Sequence, residues 1–452
     1  MLRNASISIL FFLSSVAIAE VPFPSTYEPV SNSPTLLRNA TILTGDGQRL
    51  ENTDLLLADG TIQWLGSGEV PAGTEEVDAS GRWVTPGLID VHSHLGVYPS
   101  PGVAAHSDGN ELTNPVTANI WAEHSVWPQD PGFSRALAGG VTTLQVLPGS
   151  GNLFGGRGVT LKNVYSTSYQ DMKFPGAPHG LKMACGENPK SVYGPRNQTP
   201  STRMGNVALY RAEWIAAQDY IAQWERYRAK AEEGDEEAVA PVRDLKLETL
   251  AGVLRGEIIV HMHCYRADEM MTILALAEEF DYRIGTFHHA VEAYKIADEL
   301  AENQVCGALW ADWWGFKMEA YDGIQENIAL VDRPENSCAI VHSDSAEGIQ
   351  RLNQEAAKAM GKGRRAGLDI SPERAIRWIT QNAARSLGID EVTGTLATGK
   401  MADVVVWSGN PFSVYSKADL VFVDGALMYD RADPARQPVS DFELGQLQEV
   451  AR

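Results

Sequence analysis

The chain has 452 residues, 44% of them hydrophobic, and its 37 Lys and Arg against 58 Asp and Glu give a formal net charge of −21. This length and apolar content predict a globular protein and exclude a fibrous or disordered one. Because acidic residues are spread along the chain and no stripe of Lys and Arg is present, the composition argues against a nucleic-acid or membrane-surface partner.

The N-terminal residues have the pattern of a secretory signal peptide. Arg3 gives a short positive region, an apolar stretch follows, and Ala17-Ile18-Ala19 before Glu20 is a small-x-small cleavage site. A transmembrane anchor is the alternative, but the apolar stretch is too short to span a bilayer. We predict that residues 1–19 are a signal peptide and that the mature protein is secreted, or periplasmic in a Gram-negative source, without membrane attachment.

Short alternating strands near both chain ends flank a long middle region. Residues 20–82 and 393–452 are predicted to form one composite β-sandwich domain from the two ends. In residues 83–392, apolar strand-like runs alternate with amphipathic helical segments, which indicates parallel strands with crossover helices. This pattern predicts the α/β class and a (β/α)8 TIM-like barrel, with a doubly wound sheet as the competing architecture.

Export would permit disulfide bonds between the four cysteines. Cys185, Cys264, Cys306 and Cys338 form no CxxC pair and no short disulfide framework, and each lies at or near one end of an apolar run. Four buried thiols are therefore the simpler expectation. A bridge between Cys185 and Cys264 is the alternative, and it requires their strands to be neighbours.

Histidine and aspartate side chains end several of the predicted barrel strands. His92 and His94 form an HxH pair at the end of the first strand, and alternate residues of a strand face the same side. Three later strands end in the same way, with His261 and His263, His288 and His289, and His342 and Asp344. Since the carboxyl ends of barrel strands share one mouth, these side chains predict a catalytic site for zinc or a similar metal.

Several motifs in a fixed order strengthen this interpretation. They are VTPGLIDVHSHL, the later HxH strand, FHHAVEAYK, VHSD and the tail TQNAARSLGI…GTLATGKMADVVVWSGNP. Together they resemble the amidohydrolase superfamily, in the branch with imidazolonepropionase-like and prolidase-like enzymes. The resemblance covers nearly all of the mature chain.

The resemblance implies a metal centre with one or two divalent ions per chain, Zn²⁺ being the expected ion. Carried over to this sequence, its ligands are His92, His94, Glu187, His263, His289 and Asp344. His263 is preferred to His261 because it closes its strand, and His289 is preferred to His288 because it stands three residues before Glu292. In the fourth strand, Glu187 at the strand end is preferred, and a carboxylated Lys182 is the alternative.

The same resemblance implies hydrolysis of an amide C–N bond in a small-molecule substrate, a dipeptide or an N-acyl amino acid. Asp344 would act as general base and then general acid on a water that the metal activates. His263 or Tyr265 would donate a hydrogen bond to the carbonyl oxygen.

Three side chains just beyond predicted strand ends are candidates for binding a substrate carboxylate. They are Tyr265, Arg266 and Arg157, and a surface salt bridge is the alternative for the two arginines. The segment GSGNLFGGRG around Arg157 lacks the Lys-Ser/Thr of a phosphate-binding loop, so it is interpreted as a flexible loop at the barrel mouth.

Two other functions stay open. A cyclic amide hydrolase of the imidazolonepropionase type, or a deaminase, usually manages with one metal and no bridging carboxylate, so metal content separates it from the first hypothesis. A non-catalytic scaffold or binding protein would be expected to have lost ligands, which this chain retains. The sequence leaves open whether the protein is a homo-oligomer.

Overall fold

The computed structural model describes residues 22–437, so the predicted signal peptide lies outside the described residues. In chain order, the strands are β1 (Thr35–Leu43), β2 (Arg49–Ala58), β3 (Thr61–Gly66), β4 (Glu75–Asp78), β5 (Trp83–Pro86), β6 (Leu88–Ser93), β7 (Val141–Val146), β8 (Phe154–Lys162), β9 (Gly180–Ala184), β10 (Ile259–Cys264), β11 (Ile284–His289), β12 (Cys306–Leu309), β13 (Ala339–Val341), β14 (Val404–Trp407), β15 (Ala418–Val423) and β16 (Ala426–Asp430). The α-helices are α1 (Pro131–Ala138), α2 (Glu187–Tyr193), α3 (Arg203–Glu232), α4 (Leu245–Leu254), α5 (Ala267–Phe280), α6 (Ala297–Glu302), α7 (Asn327–Val331), α8 (Leu352–Arg365), α9 (Pro372–Ala375) and α10 (Gln381–Leu387).

One sheet contains strands from both ends of the described chain. Its order is β16-β15-β14-β5-β1-β2-β3, with β4 paired to β1. Strand β5 joins the two halves, because it pairs parallel to β1 and antiparallel to β14. Apolar side chains from both halves, including Ile42 and Val404, pack in one core. Since β5 belongs to this sheet, the barrel begins after Gly87, and the predicted boundary before Trp83 is corrected; the sandwich form of the domain stays a prediction.

The other sheet is a nearly closed barrel whose eight strands, β6 to β13, follow one another in chain order. The ends of β6 and β13 approach each other where the backbone N–H of Asp344 donates to the carbonyl oxygen of His92 at 3.0 Å. This contact brings the first and last predicted ligand positions together at the carboxyl ends of their strands.

Strand β8 departs from the predicted parallel pattern, since it runs antiparallel to both β7 and β9. The segment that was expected to be a flexible mouth loop instead enters the barrel wall at Phe154. Its glycines are needed there: Gly156 has φ of +114°, and a Cβ at this position would collide with the carbonyl oxygen of Ile120. Glycine-rich sequence therefore marks a close backbone approach within a strand.

The long helix α3 packs against the barrel through one face. Its buried residues Asn206, Tyr210, Trp214 and Ala217 recur at helical spacing. The Trp214 ring contacts Phe154 of β8 edge-on at 5.4 Å between ring centroids. Although α3 is long, no helix within residues 22–437 is both long and apolar enough to cross a membrane.

All four cysteines are paired in disulfide bonds, so the expectation of buried thiols is wrong. Cys185, just after β9, is bonded to Cys264 at the end of β10, and Cys306 of β12 is bonded to Cys338 just before β13. The Cα atoms of the two pairs are 5.3 and 4.5 Å apart. These distances follow from the pairing of neighbouring strands and suit a bridge.

Candidate metal centre

The first barrel strand presents two histidines to one carboxylate. The Nε2 atoms of His92 and His94 lie 3.6 and 3.2 Å from the same oxygen, Oδ1 of Asp344. The Nδ1 of His94 lies 2.8 Å from the carbonyl oxygen of Leu147, which can only accept a hydrogen bond. Nδ1 of His94 therefore donates to Leu147, and Nε2 is the ring nitrogen that faces the carboxylate.

Two sets of possible ligand atoms overlap at His92. One contains His92, His94 and Asp344, the other contains His92, His289 and His342, and the atoms of each set lie within 4.8 Å of one another. The Nδ1 of His289 is 3.8 Å from Oδ2 of Asp344 and has no hydrogen-bond partner although it is buried. Buried ring nitrogens normally have a hydrogen-bond partner, so a buried nitrogen without one is suited to bind a metal ion.

Backbone conformation at the two strand ends is strained. His289 has φ of 68° and Asp344 has φ of 47°, in the left-handed region that non-glycine residues seldom occupy. Such conformations cost free energy and persist where the surrounding structure imposes them, often at functional sites. Here they aim an imidazole and a carboxylate at the same point.

His263 faces the same site, whereas its neighbour His261 does not. The His263 ring is buried, neither of its nitrogens has a hydrogen-bond partner, and it contacts His289 at 4.7 Å between ring centroids. His261 instead hydrogen-bonds to His288 at 2.9 Å, and His288 bonds to the Nδ1 of His92 at 2.9 Å. The geometry thus agrees with the preference for His263 and His289, while their roles as ligands stay predictions.

Burial favours the neutral form of three histidines at this site. It lowers the pKa of His92, His263 and His289 well below the ordinary value, because the charged imidazolium is poorly solvated there. Burial acts the other way on Asp344, but the hydrogen bond and charge of His94 outweigh it, so the pKa of Asp344 is lowered. Neutral imidazoles and an ionised carboxylate are the forms that bind a divalent cation.

In the fourth strand, the structure brings Lys182 and not Glu187 to the histidines. Lys182 of β9 is fully buried, and its Nζ lies 3.3 Å from Nε2 of His92. Burial lowers its pKa to about 8, which increases the neutral amine that can react with carbon dioxide.

The preference for Glu187 is therefore corrected. The strand ends at Ala184, and the chain turns at Gly186, with φ of 73°, so that Glu187 begins helix α2. Its carboxylate lies 3.5 Å from Nζ of Lys317 and is 32% exposed. Glu187 belongs to neither of the two sets of possible ligand atoms.

Asp90 connects two backbone segments of the cluster through hydrogen bonds, and it was not predicted from the sequence. Its carboxylate accepts hydrogen bonds from the backbone N–H of His92 at 3.1 Å, and from the backbone N–H and hydroxyl of Ser343. It thus links the strand of the HxH pair to the residue before Asp344. The available signal was the acidic residue two positions before His92.

A cavity of about 620 Å³ opens above the cluster. It is lined by Ser150, Asn188, His263, Tyr265, His289, Trp310, Asp312, Trp313, Trp314, Phe316 and Asp344. Of the three residues that were predicted to bind substrate, Tyr265 alone is among these lining residues. The aromatic segment after β12 was missed as part of the site, although WADWWGF is conspicuous in the sequence.

The two predicted substrate-binding arginines have other partners. Arg157 lies in the middle of β8, where its Nε donates to Oγ1 of Thr249 at 2.9 Å and its guanidinium lies over the Trp121 ring. Arg266 forms a two-point ion pair with Asp268 at the start of α5. Arg157 is not among the lining residues because it lies in the antiparallel strand β8, which was not foreseen, whereas Arg266 forms the surface salt bridge that was the alternative for it.

Comparison with known proteins finds similarity to amidohydrolases. Residues 327–430 match the family model described as Amidohydrolase family. A crystal structure of an amidohydrolase from Thermotoga maritima MSB8 superposes with a TM-score of 0.80 and 34% identity, over 88% of this chain and 100% of that chain.

Two curated proteins are similar over most of this chain. A D-hydantoinase of Rhizobium radiobacter is 47% identical over 82% of this chain and 85% of that protein. Amidohydrolase tasK of Hapsidospora irregularis is 30% identical over 433 residues, which are 88% of this chain and 43% of that protein. The chain thus spans less than half the length of the tasK protein.

Proposed function

Because the chain belongs to the amidohydrolase superfamily, whose members are hydrolases acting on carbon–nitrogen bonds, we propose that it cleaves the amide bond of a dipeptide or an N-acyl amino acid. The observation that carries this proposal is the cluster of His92, His94, His289 and Asp344, whose ligand atoms converge at the floor of a cavity large enough for a small molecule.

The cluster fits a divalent cation, and we take Zn²⁺ as the expected ion, with one or two per chain. His92, His94, His289 and Asp344 would hold it, His263 would add a ligand from β10, and Lys182, as a carbamate, would supply the ligand from the fourth strand. When bound, the ion would supply Lewis acidity, which lowers the pKa of a water toward ~7 and polarises a carbonyl oxygen.

The residues of the chain would then move the proton. Asp344 accepts a proton from the attacking water and delivers it to the leaving nitrogen. The carbonyl carbon gains a hydroxyl group, the C–N bond breaks, and the nitrogen leaves as an amine. Tyr265 is suited to donate to the carbonyl oxygen, because burial raises its pKa and keeps the phenol protonated.

A cyclic amide is the second candidate substrate. It is favoured by the similarity to a protein named D-hydantoinase. A non-catalytic role is disfavoured, since such a protein would be expected to have lost ligands, whereas His92, His94, His289 and Asp344 are present and lie together.

We further propose that the protein acts after export. The N-terminal sequence has the form of a cleavable signal peptide, and two disulfide bonds join neighbouring barrel strands. Disulfide bonds persist in oxidising compartments such as the periplasm and the extracellular space. The partner proposed there is a small molecule, and neither nucleic acid nor a membrane.

A substrate screen tests the proposed reaction. The mature protein loaded with Zn²⁺ is incubated with dipeptides, N-acyl amino acids and cyclic amides, with and without a chelator, and released amine is quantified. We expect hydrolysis of the first two classes, and its loss on chelation. Hydrolysis of cyclic amides alone would instead establish the second candidate, and turnover of no class would contradict both.

A further inference from the structure

The segment after β12 places large apolar rings at the mouth of the cavity. Trp313, Trp314 and Phe316 line the cavity and are nevertheless 46%, 37% and 57% exposed. Contiguous exposed apolar side chains of this kind in a soluble protein mark a surface that binds something apolar. Because these rings lie over the cluster, we expect an apolar part of the substrate to bind against them.

The rings form a continuous wall that begins at the metal centre. Trp310 stacks on the predicted ligand His289, with 4.3 Å between ring centroids. Trp313 and Phe316 follow at 5.6 and 5.8 Å from Trp310. A substrate whose scissile carbonyl lies beside His289 and Asp344 would therefore rest its adjacent side chain on this wall.

Lysine side chains approach the same wall: Lys358 is paired with the lining residue Asp312 at 2.9 Å, and Lys317 lies beside the aromatic rings. None of the described residues that line the cavity is Lys or Arg, and two of them, Asp312 and Asp344, are acidic. Lys317 is next in sequence to Phe316, and its Nζ lies 4.2 Å from the centre of the Tyr265 ring.

The ammonium of Lys317 is held by polar groups of the wall. It donates to Oδ1 of Asn188, another lining residue, at 2.5 Å, and it lies 3.5 Å from Oε1 of Glu187. The contact with Glu187 is long and partly exposed, so an incoming carboxylate can replace it at little cost. The charge of Lys317 would complement an anionic substrate group at a cavity whose lining includes the carboxylates of Asp312 and Asp344.

We propose that Lys317 binds the free carboxylate of the substrate and that Trp313, Trp314 and Phe316 bind its side chain. The substrate class is then an N-acyl amino acid or a dipeptide whose C-terminal residue is aromatic or large and apolar. This inference rests on the proposed amide hydrolysis and adds the group that selects the substrate.

The test compares substrates that differ in one group. N-acetyl-L-phenylalanine and N-acetylphenethylamine share the amide and the ring, but only the first has a carboxylate. In the Zn²⁺-loaded wild type, we expect kcat/KM to be higher for the first compound. In Lys317→Met, kcat/KM for that compound should fall about 10- to 100-fold, chiefly through KM, because a charge-assisted hydrogen bond is lost.

Binding of the product gives a second measurement. The inhibition constant of L-phenylalanine should rise in Lys317→Met by a similar factor and stay near the wild-type value in Lys317→Arg. Hydrolysis of N-acetylphenethylamine should fall much less than that of the acid in either variant, because this compound has no carboxylate to lose. Lys246→Met, which removes a lysine that is paired with Glu213 in the helical layer, is the matched control.

The aromatic wall is tested with Phe316→Ala. This variant should lose about tenfold in kcat/KM for N-acetyl-L-phenylalanine relative to N-acetyl-L-alanine. Tyr415→Ala, which truncates an exposed ring elsewhere, is the control and should leave that ratio unchanged.

The outcomes separate this inference from the proposed function. Equal hydrolysis of the acid and its decarboxylated analogue, or equal losses for both in Lys317→Met, would overturn the assignment of Lys317 and leave amide hydrolysis standing. An unchanged ratio in Phe316→Ala would overturn the aromatic subsite. Turnover of no N-acyl amino acid and no dipeptide by the wild type would overturn the function and this inference together.

Discussion

Replacing Asp344 with Asn should lower kcat by at least about 1000-fold, because the amide cannot accept a proton and general base catalysis alone contributes roughly 100- to 10,000-fold. The same carboxylate lies within 3.6 Å of both histidines of the first strand, so the substitution also weakens the cluster. Asn has nearly the shape of Asp, and the fold should persist. The measurement is steady-state hydrolysis of the best substrate, with circular dichroism to confirm folding.

Asp419→Asn is the matched control for this variant. Asp419 is a largely buried carboxylate that is paired with Arg431 in the sheet formed by the chain ends, away from the barrel mouth. Its turnover should equal that of the wild type. Turnover of Asp344→Asn within tenfold of the wild type would contradict the role that is assigned to this carboxylate.

The second large effect is expected at Lys182. Lys182→Met keeps an apolar chain of similar length in a fully buried position but cannot form a carbamate. We expect this variant to bind less metal per chain and to lose at least about 100-fold in activity, as with the loss of other groups that fix a metal site. Metal is measured by elemental analysis of the folded variant, and activity with the same substrate.

Glu187→Gln is the comparison that decides whether Lys182 or Glu187 supplies the metal ligand from the fourth strand. Because Glu187 starts a helix and faces Lys317, this variant should retain the metal content of the wild type. Added bicarbonate should accelerate metal reconstitution of the wild type, since the carbamate forms from carbon dioxide. Loss of metal in Glu187→Gln, with normal metal in Lys182→Met, would restore Glu187 as the ligand.

Local periodicity was sufficient to locate much of the candidate site. His92 and His94 are two positions apart at the end of an apolar run, and strand geometry alone places such side chains on one face. The rule that barrel strands end at one mouth then groups them with the pairs His288–His289 and His342–Asp344, from which the family resemblance selected His289 and Asp344. These inferences depend on features within a few residues, which a sequence displays directly.

The remaining features depend on contacts between distant segments. Strand β8 was missed because its glycines resemble a loop until the backbone of Ile120 is seen against Gly156. Glu187 was preferred because it was expected to lie at the end of the strand, which instead ends at Ala184 before the turn at Gly186. The bridge between Cys185 and Cys264 was only the alternative, and that between Cys306 and Cys338 was missed, because both require the order of strands in the barrel, which local patterns do not contain.

The central claim is that the cluster around Asp344 hydrolyses amides only when it holds a divalent ion. The most direct test is a Zn²⁺ titration of the metal-free mature protein, with bound metal and amide hydrolysis measured on the same samples. His94→Ala removes one candidate ligand, and His124→Ala removes a histidine outside both sets of ligand atoms. We predict no hydrolysis without metal, a rate proportional to bound metal up to one or two ions per chain, and reduced binding in His94→Ala alone. Full activity of the metal-free protein, or unchanged binding in His94→Ala, would contradict the claim.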